Sequence, residues 1–409
     1  MSMQSAVRVG WRTPAVVVVC GCLIAMISFG PRSALGFFLT PMSQEHHWGR
    51  DVFSMALAIQ NLMWGVGQPF AGGLADRYGA NRVLIVGALL YAAGLALMSH
   101  AMTGGMLDIS AGLLVGFGLS GCSFTIVLGA FGRLLPAEWR SLAFGLGTAA
   151  GSFGQFLYSP IAVALIDKVG WQSALAVFAV VTLIIVPVAV ALATPRAEAP
   201  LIAAPKQSFR EAIGEAFAHR SYVLLVIGFF TCGFQLAFTT VHLPAYLVDR
   251  GLSAQVGGWT LATIGLFNII GSITSGYLGA RMPKRYILSI IYFTRALSIL
   301  IFIMLPPSTP ATLIYGAVTG LLWLSTVPPT SGLVATMFGT RWLAMLFGFA
   351  FFSHQVGGFL GVWLGGVVYD YVGSYNPVWY LSIFFGVMSA IINLPIVEEP
   401  VSRAAAATA

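Results

Sequence analysis

The chain is predicted to be an all-α polytopic membrane protein with twelve transmembrane helices in two pseudo-symmetric six-helix halves. Three observations predict it: composition, a train of long apolar runs, and an internal repeat at half the chain length. Of 409 residues, 58% are hydrophobic and only 8% charged, with a mean hydropathy of +0.89. Such a composition excludes both a soluble globular domain and a disordered chain. The formal charge of +7 comes from 20 Lys and Arg scattered between apolar runs. Without a dense basic stripe it does not point to nucleic acid. Cys20, Cys22, Cys122 and Cys232 lie inside apolar runs without disulfide or zinc-site spacing, and read as small packing residues.

Spans are expected at 15–42, 53–75, 83–100, 106–132, 141–165, 171–193, 222–248, 257–280, 286–305, 311–337, 343–369 and 376–397. At roughly 1.5 Å per helical residue these suit a hydrocarbon core of about 30 Å. The first is too long for a signal-peptide core and lacks an A-x-A end, so it is expected to remain uncleaved. With the N-terminus inside, fifteen of the 20 basic residues fall on the cytoplasmic side and three, Arg50, Lys168 and Arg250, fall outside. The remaining two, Arg32 and Arg295, lie within spans. The positive-inside rule then places both termini in the cytoplasm, in a cell membrane expected to be the bacterial inner membrane.

In the first span, Arg32 follows Gly30 and Pro31. A charge at that depth costs at least a few kcal/mol unless it faces a cavity, a partner or a substrate. Proline removes a helical hydrogen bond, so a bend is expected beside it. Between the sixth and seventh spans, the polar stretch 194–221 separates an N-terminal half, 1–193, from a C-terminal half, 222–409. Within it, Ser208-Phe209-Arg210-Glu211 fits a capping box, and Phe209, Ile213 and Phe217 recur every four residues. A short amphipathic helix on the cytoplasmic membrane face is expected there.

The halves repeat. Gly72-Gly73-Leu74-Ala75-Asp76-Arg77-Tyr78-Gly79 after the second span has a counterpart in Gly276-Tyr277-Leu278-Gly279-Ala280-Arg281 after the eighth, 204 residues on. Pro41 and Pro244 are 203 apart, as are Gly151-x-x-Gly154 and His354-x-x-Gly357. Two like halves are the plan of a rocking carrier that holds its substrate near the midplane.

The motif Gly72-x-Leu74-Ala75-Asp76-Arg77-x-Gly79 resembles the signature loop between the second and third helices of the major facilitator superfamily, and the similarity covers all twelve spans. The resemblance implies a cytoplasmic gate latched by Asp76 at the N-terminus of a helix of the other half, with Arg77 and Arg82 beside it. The second copy has Ala280 in place of the aspartate, which implies a weaker latch there. Gly348 followed six residues later by His354 is similar to the oxalate/formate antiporter branch, kin of the monocarboxylate transporters, where a lysine stands in place of the histidine. Two departures stand out: no arginine occurs in the eighth span, and the acidic, tryptophan-rich start of the first span is missing.

None of the thirteen acidic residues falls mid-membrane, whereas Arg32, Arg295, His242 and His354 do fall in spans. A fixed cation without a carboxylate attracts an anion, because an unpaired buried charge is expensive until a counter-charge arrives. The candidate binding residues are Arg32, whose guanidinium matches a carboxylate, His354, Tyr158, Gln155, Gln235, Asn268, Trp323 and Phe351. His354 and His242 are the candidates for proton coupling, since histidine changes charge near neutral pH. Glycines such as Gly151, Gly154, Gly357, Gly358 and Gly361 are expected to let helices approach closely. No GxxxxGK[ST], HExxH or GxSxG occurs, so neither cofactor nor metal nor enzymatic nucleophile is expected. The sequence therefore reads as a monomeric secondary carrier for a small organic anion, a monocarboxylate, coupled to protons or to a counter-anion. Efflux of amphipathic drugs is the alternative.

Overall fold

The computed structural model describes residues 11–193, 209–339 and 343–401, and these contain helices and no strand. Ten stretches are long and apolar enough to cross a membrane. One of them, Gly145–Leu192, is two helices joined at Gly170, whose φ of 79° only glycine adopts readily. Arg50–Tyr78 also runs the full height of the bundle, although its polar residues dilute its hydropathy. Among the described residues the bundle is thus twelve helices: α1 Pro14–His46, α2 Arg50–Tyr78, α3 Ala80–Met98, α4 Gly104–Leu134, α5 137–169 and α6 171–192, then α7 Arg220–Asp249, α8 Ala254–Gly279, α9 Lys284–Met304, α10 Thr309–Phe338, α11 Leu343–Val372 and α12 Asn376–Asn393.

Helix α1 keeps Pro31 within its α-helical part and tightens to a 3₁₀ turn one turn later, at Leu35–Phe38. Helices α4 and α10 are both interrupted, at Ser123 and at 323–326, two hundred residues apart as the repeat requires. Each break is tied to the second helix of its own half. Gln68 of α2 donates to Ser123 Oγ (2.9 Å) and Thr125 Oγ1 (2.7 Å). Asn268 of α8 accepts from the Leu324 amide (3.0 Å), and Ser275 donates to the Ser325 carbonyl. At the α10 break these are backbone groups, which need such partners in a medium without water.

The halves meet along α2/α11 and α5/α8, and α1 also touches α7 at Gly36. Along α2/α11, a Cβ at Gly65 would meet Gln355, one at Gly358 would meet Asn61, and one at Gly366 would meet Ser54 and the Arg50 carbonyl. Along α5/α8, one at Gly265 would meet Ser152 and Phe156. Within the second half, Gly357, Gly361 and Gly365 turn another face of α11 onto α7. Small residues thus bring backbones together in a solvent that offers no hydrophobic drive between helices.

The short helix Phe209–Ala218 packs Phe217 against Tyr222 and Phe349. Its expected cap, Ser208, lies outside the described residues.

Candidate functional site

Between the halves lies a cavity of about 1110 Å³ that opens at the end of the bundle carrying the α2–α3 connection, where Gly72, Ala75 and Ala80 line it. The opposite end is closed by contacts between the halves. Helix α2 starts at Gly49 with no side-chain cap of its own. Its free amides are taken by Asp370 of α11, which accepts from Arg50 N (3.0 Å) and Asp51 N (2.7 Å). A carboxylate at a helix N-terminus satisfies orphan donors and complements the macrodipole. Here the cap comes from the other half.

Arg50 adds a two-pronged ion pair with Asp249 of α7, both contacts at 2.7 Å, and lies 3.8 Å over the Tyr369 ring. It also donates to Tyr375 Oη (2.8 Å), which in turn faces His242 Nδ1 (3.3 Å). His242 Nε2 meets the Val362 carbonyl (2.8 Å), so the network assigns the ring proton to Nε2 and makes Nδ1 the acceptor.

Arg32 projects from α1 into the cavity wall. Its Nη2 donates to Asn61 Oδ1 (2.7 Å), and Asn61 Nδ2 donates to the Leu57 carbonyl (2.8 Å), which fixes the orientation of the amide. The guanidinium carbon lies 4.7 Å from the Trp64 ring centroid and 5.7 Å from that of Phe29. Its Nε has no partner, and among the described residues no carboxylate pairs with it. Cation–π contact offsets part of the desolvation cost of such a charge and supplies no acceptor for Nε.

His354 stands on the wall contributed by the second half. Its ring stacks on Phe351 at 5.6 Å and 8° and packs against Phe229 at 5.1 Å. Nδ1 lies 3.0 Å from Gln355 Oε1, which assigns it as the donor and leaves Nε2 with a lone pair in the neutral ring.

The candidate residues divide. Arg32, His354, Gln155, Trp323 and Phe351 line the cavity. Four others lie behind its walls. Asn268 is fully buried between Ser152 and the α10 break. Gln235 is tied to the Ser382 carbonyl and to Arg295. Tyr158 packs its ring onto Gly30 and Phe178. His242 belongs to the network at the closed end. Arg77 and Arg82 are exposed on either side of the α2–α3 connection. Asp76 is in the last turn of α2, and its side chain lies outside the described residues.

Sequence reasoning missed Phe29, Asn61, Trp64 and Gln68 on the cavity wall, and Asp249 and Asp370 as partners of Arg50 at the closed end. Asn61, Trp64, Gln68, Gly72 and Ala75 recur at three- and four-residue spacing, a helical face that was there to be found.

The family model for the Major Facilitator Superfamily matches residues 21–361 and, in a second match, 251–409. The chain belongs to that family. The superfamily's curated members include the uncharacterized MFS-type transporter YcxA of Bacillus subtilis (strain 168), 29% identical over 402 residues and covering 96% of each chain. Monocarboxylate transporter 13 of Bos taurus is 25% identical over 332 residues, 80% of this chain and 74% of its own. Monocarboxylate transporter 11 of Homo sapiens is also 25% identical, over 91% of this chain and 80% of its own. Among solved structures, a D-xylose-proton symporter superposes with a TM-score of 0.73 at 14% identity, over 95% of this chain and 98% of its own. The chain is therefore a multi-pass membrane transporter of this superfamily.

Proposed function

We propose that this transporter moves a small organic anion, a monocarboxylate, by alternating access. The observation that carries the reading is Arg32: a guanidinium on the wall of the inter-half cavity, with an unpartnered Nε and, among the described residues, no carboxylate partner. A monocarboxylate supplies the missing charge and fits the planar donor edge. The names of the bovine and human relatives agree with this class of substrate.

With both termini in the cytoplasm, as the charge distribution favours, the cavity mouth faces the cytoplasm and the Arg50–Asp249–Asp370 end faces outward. The conformation is then inward-facing, with Asp76, Arg77 and Arg82 at the disengaged inner gate. The two halves rock as units about the α2/α11 and α5/α8 seams. His354, on the cavity wall across from Arg32, is the group that couples transport to the proton gradient; exchange for a second anion is the other mode.

Uptake of labelled lactate into proteoliposomes, with and without an inward proton gradient, tests the proposal. Arg32→Gln is expected to abolish uptake. His354→Gln is expected to remove the stimulation by the gradient. Uptake that is unchanged in both variants rejects the site.

A further inference from the structure

The cavity wall beside Arg32 is aromatic, and its rings are joined. From the guanidinium, contacts run to Trp64 (4.7 Å), from Trp64 edge-on to Phe351 (5.5 Å), from Phe351 stacked onto His354 (5.6 Å), and from His354 to Phe229 (5.1 Å). The row begins in the first half and ends in the second. Trp323, Phe347 and Phe352 widen it on the second-half side. Two other polar groups along this region are already engaged, Trp64 Nε1 with Gln68 and Asn61 with Arg32 and Leu57. Arg133, also on the wall, has a partner of its own. One end of the site therefore offers Arg32, which among the described residues pairs with no carboxylate, and the surface leading away from it offers ring faces.

A small hydrophilic acid such as formate or oxalate would satisfy Arg32 and leave that surface in water. A second carboxylate would have to lie against the rings without a partner, which is costly. An apolar body would cover the row, and rings gain from stacking on rings beyond the area they bury.

We propose that the substrate is a monocarboxylate with an aromatic or branched apolar body, held by its carboxylate on Arg32 and by its body along Trp64, Phe351 and His354. The proposal rests on the anion reading given above and narrows it. Because the row crosses from one half to the other, a body lying on it contacts both, as a substrate that favours the occluded state must.

The test compares acetate, phenylacetate, phenylacetamide and oxalate on the purified full-length protein, by competition against labelled phenylacetate uptake in proteoliposomes and by ligand-induced thermal shift. Each buried methylene equivalent is worth roughly fourfold in affinity, so phenylacetate is expected to half-saturate at least tenfold below acetate, with phenylacetamide and oxalate much weaker. Phe351→Leu should narrow the gap between phenylacetate and acetate to under threefold. Should that variant not fold, the ranking of acids on the unaltered protein still decides. Equal affinity for acetate and phenylacetate, both lost in Arg32→Gln, overturns this proposal and leaves the anion reading standing. Tighter binding of oxalate than of phenylacetate overturns it in the same way. Phenylacetamide handled as well as phenylacetate, with no effect of Arg32→Gln, overturns the anion reading and this proposal together.

Discussion

Arg32 in the first half and Arg295 in the second lie away from the ends of their membrane-spanning helices, and the two are spent differently. Arg295 of α9 is 1% exposed and donates to the Leu322 carbonyl, the Trp323 carbonyl (2.9 Å) and Gln235 Oε1 (3.2 Å). It closes the carbonyl end of the first segment of α10, where a helix break leaves acceptors without donors. Arg32 meets one side-chain acceptor and two ring faces. Gln235, the partner of Arg295, stands 203 residues after Arg32 and so at the matching place in the repeat. The first half thus puts its cation on its first helix and aims it at the cavity, while the second puts its cation on its third helix and binds it to backbone. What sets Arg295 apart from the arginine proposed to bind the anion is the number of carbonyl oxygens it reaches, and depth in the membrane does not decide it.

Exchange of the two roles is the sharpest way to break this comparison. Arg32→Gln should reduce anion transport by 100-fold or more while shifting the thermal midpoint by only a few degrees, as read by proteoliposome uptake and by size-exclusion thermostability. Arg295→Met should do the reverse. It leaves buried carbonyls unpaired, at a cost of about 1–3 kcal/mol for each group, so a fall in the midpoint of several degrees is expected, with residual transport in the folded fraction. Equal losses of stability in the two variants would erase the distinction.

The seams on α11 allow a second, smaller contrast. A Cβ at Gly361 would strike the Phe234 carbonyl within the second half, and one at Gly366 would strike Ser54 and the Arg50 carbonyl of the first. Gly361→Ala should therefore lower thermal stability by about 1–3 kcal/mol, the range for overpacking. Gly366→Ala should instead part the halves at the Arg50 end, seen as an increase in inter-half distance by double electron–electron resonance. The smallest effect expected is that of Asp249→Asn. It removes the charge of a partly exposed ion pair, worth up to about 1 kcal/mol, and should shift the balance of the two facing states by severalfold in the same distance measurement. If the distributions are unchanged, this pair does not hold the closed end.

The helical architecture was legible because hydrocarbon imposes long apolar runs, and the repeat offset of 203–204 residues needs no structure to be seen. Helix α2 was legible as a span although Gln60, Asn61 and Gln68 make it the most polar candidate, because its neighbours fix its place. Arg32 and His354 could be singled out since charge in a span is rare. Tyr158, Gln235 and Asn268 could not be sorted from Gln155 by sequence, because a polar side chain in a buried helix does not reveal whether it faces a cavity or a neighbouring carbonyl. Gln155 and Asn268 are both almost fully buried, yet only Gln155 reaches the cavity wall. Asp370 was invisible as a cap, since its two amides belong to a helix 320 residues away. The one hint lay at the other end of that bond: Gly49-Arg50-Asp51 begins a helix with no Ser, Thr, Asp or Asn at its cap position.

The glycines of α11 have a further consequence. Those at 357, 361 and 365 face α7, that at 366 faces α2, and that at 358 sits between the two, so the helix works only in one rotational phase. Inserting a single residue just before Gly357 would turn everything after it by about 100° relative to His354. The anchored side and the sliding side would be lost at one stroke, and no compensating change of side chain elsewhere on the helix would recover both.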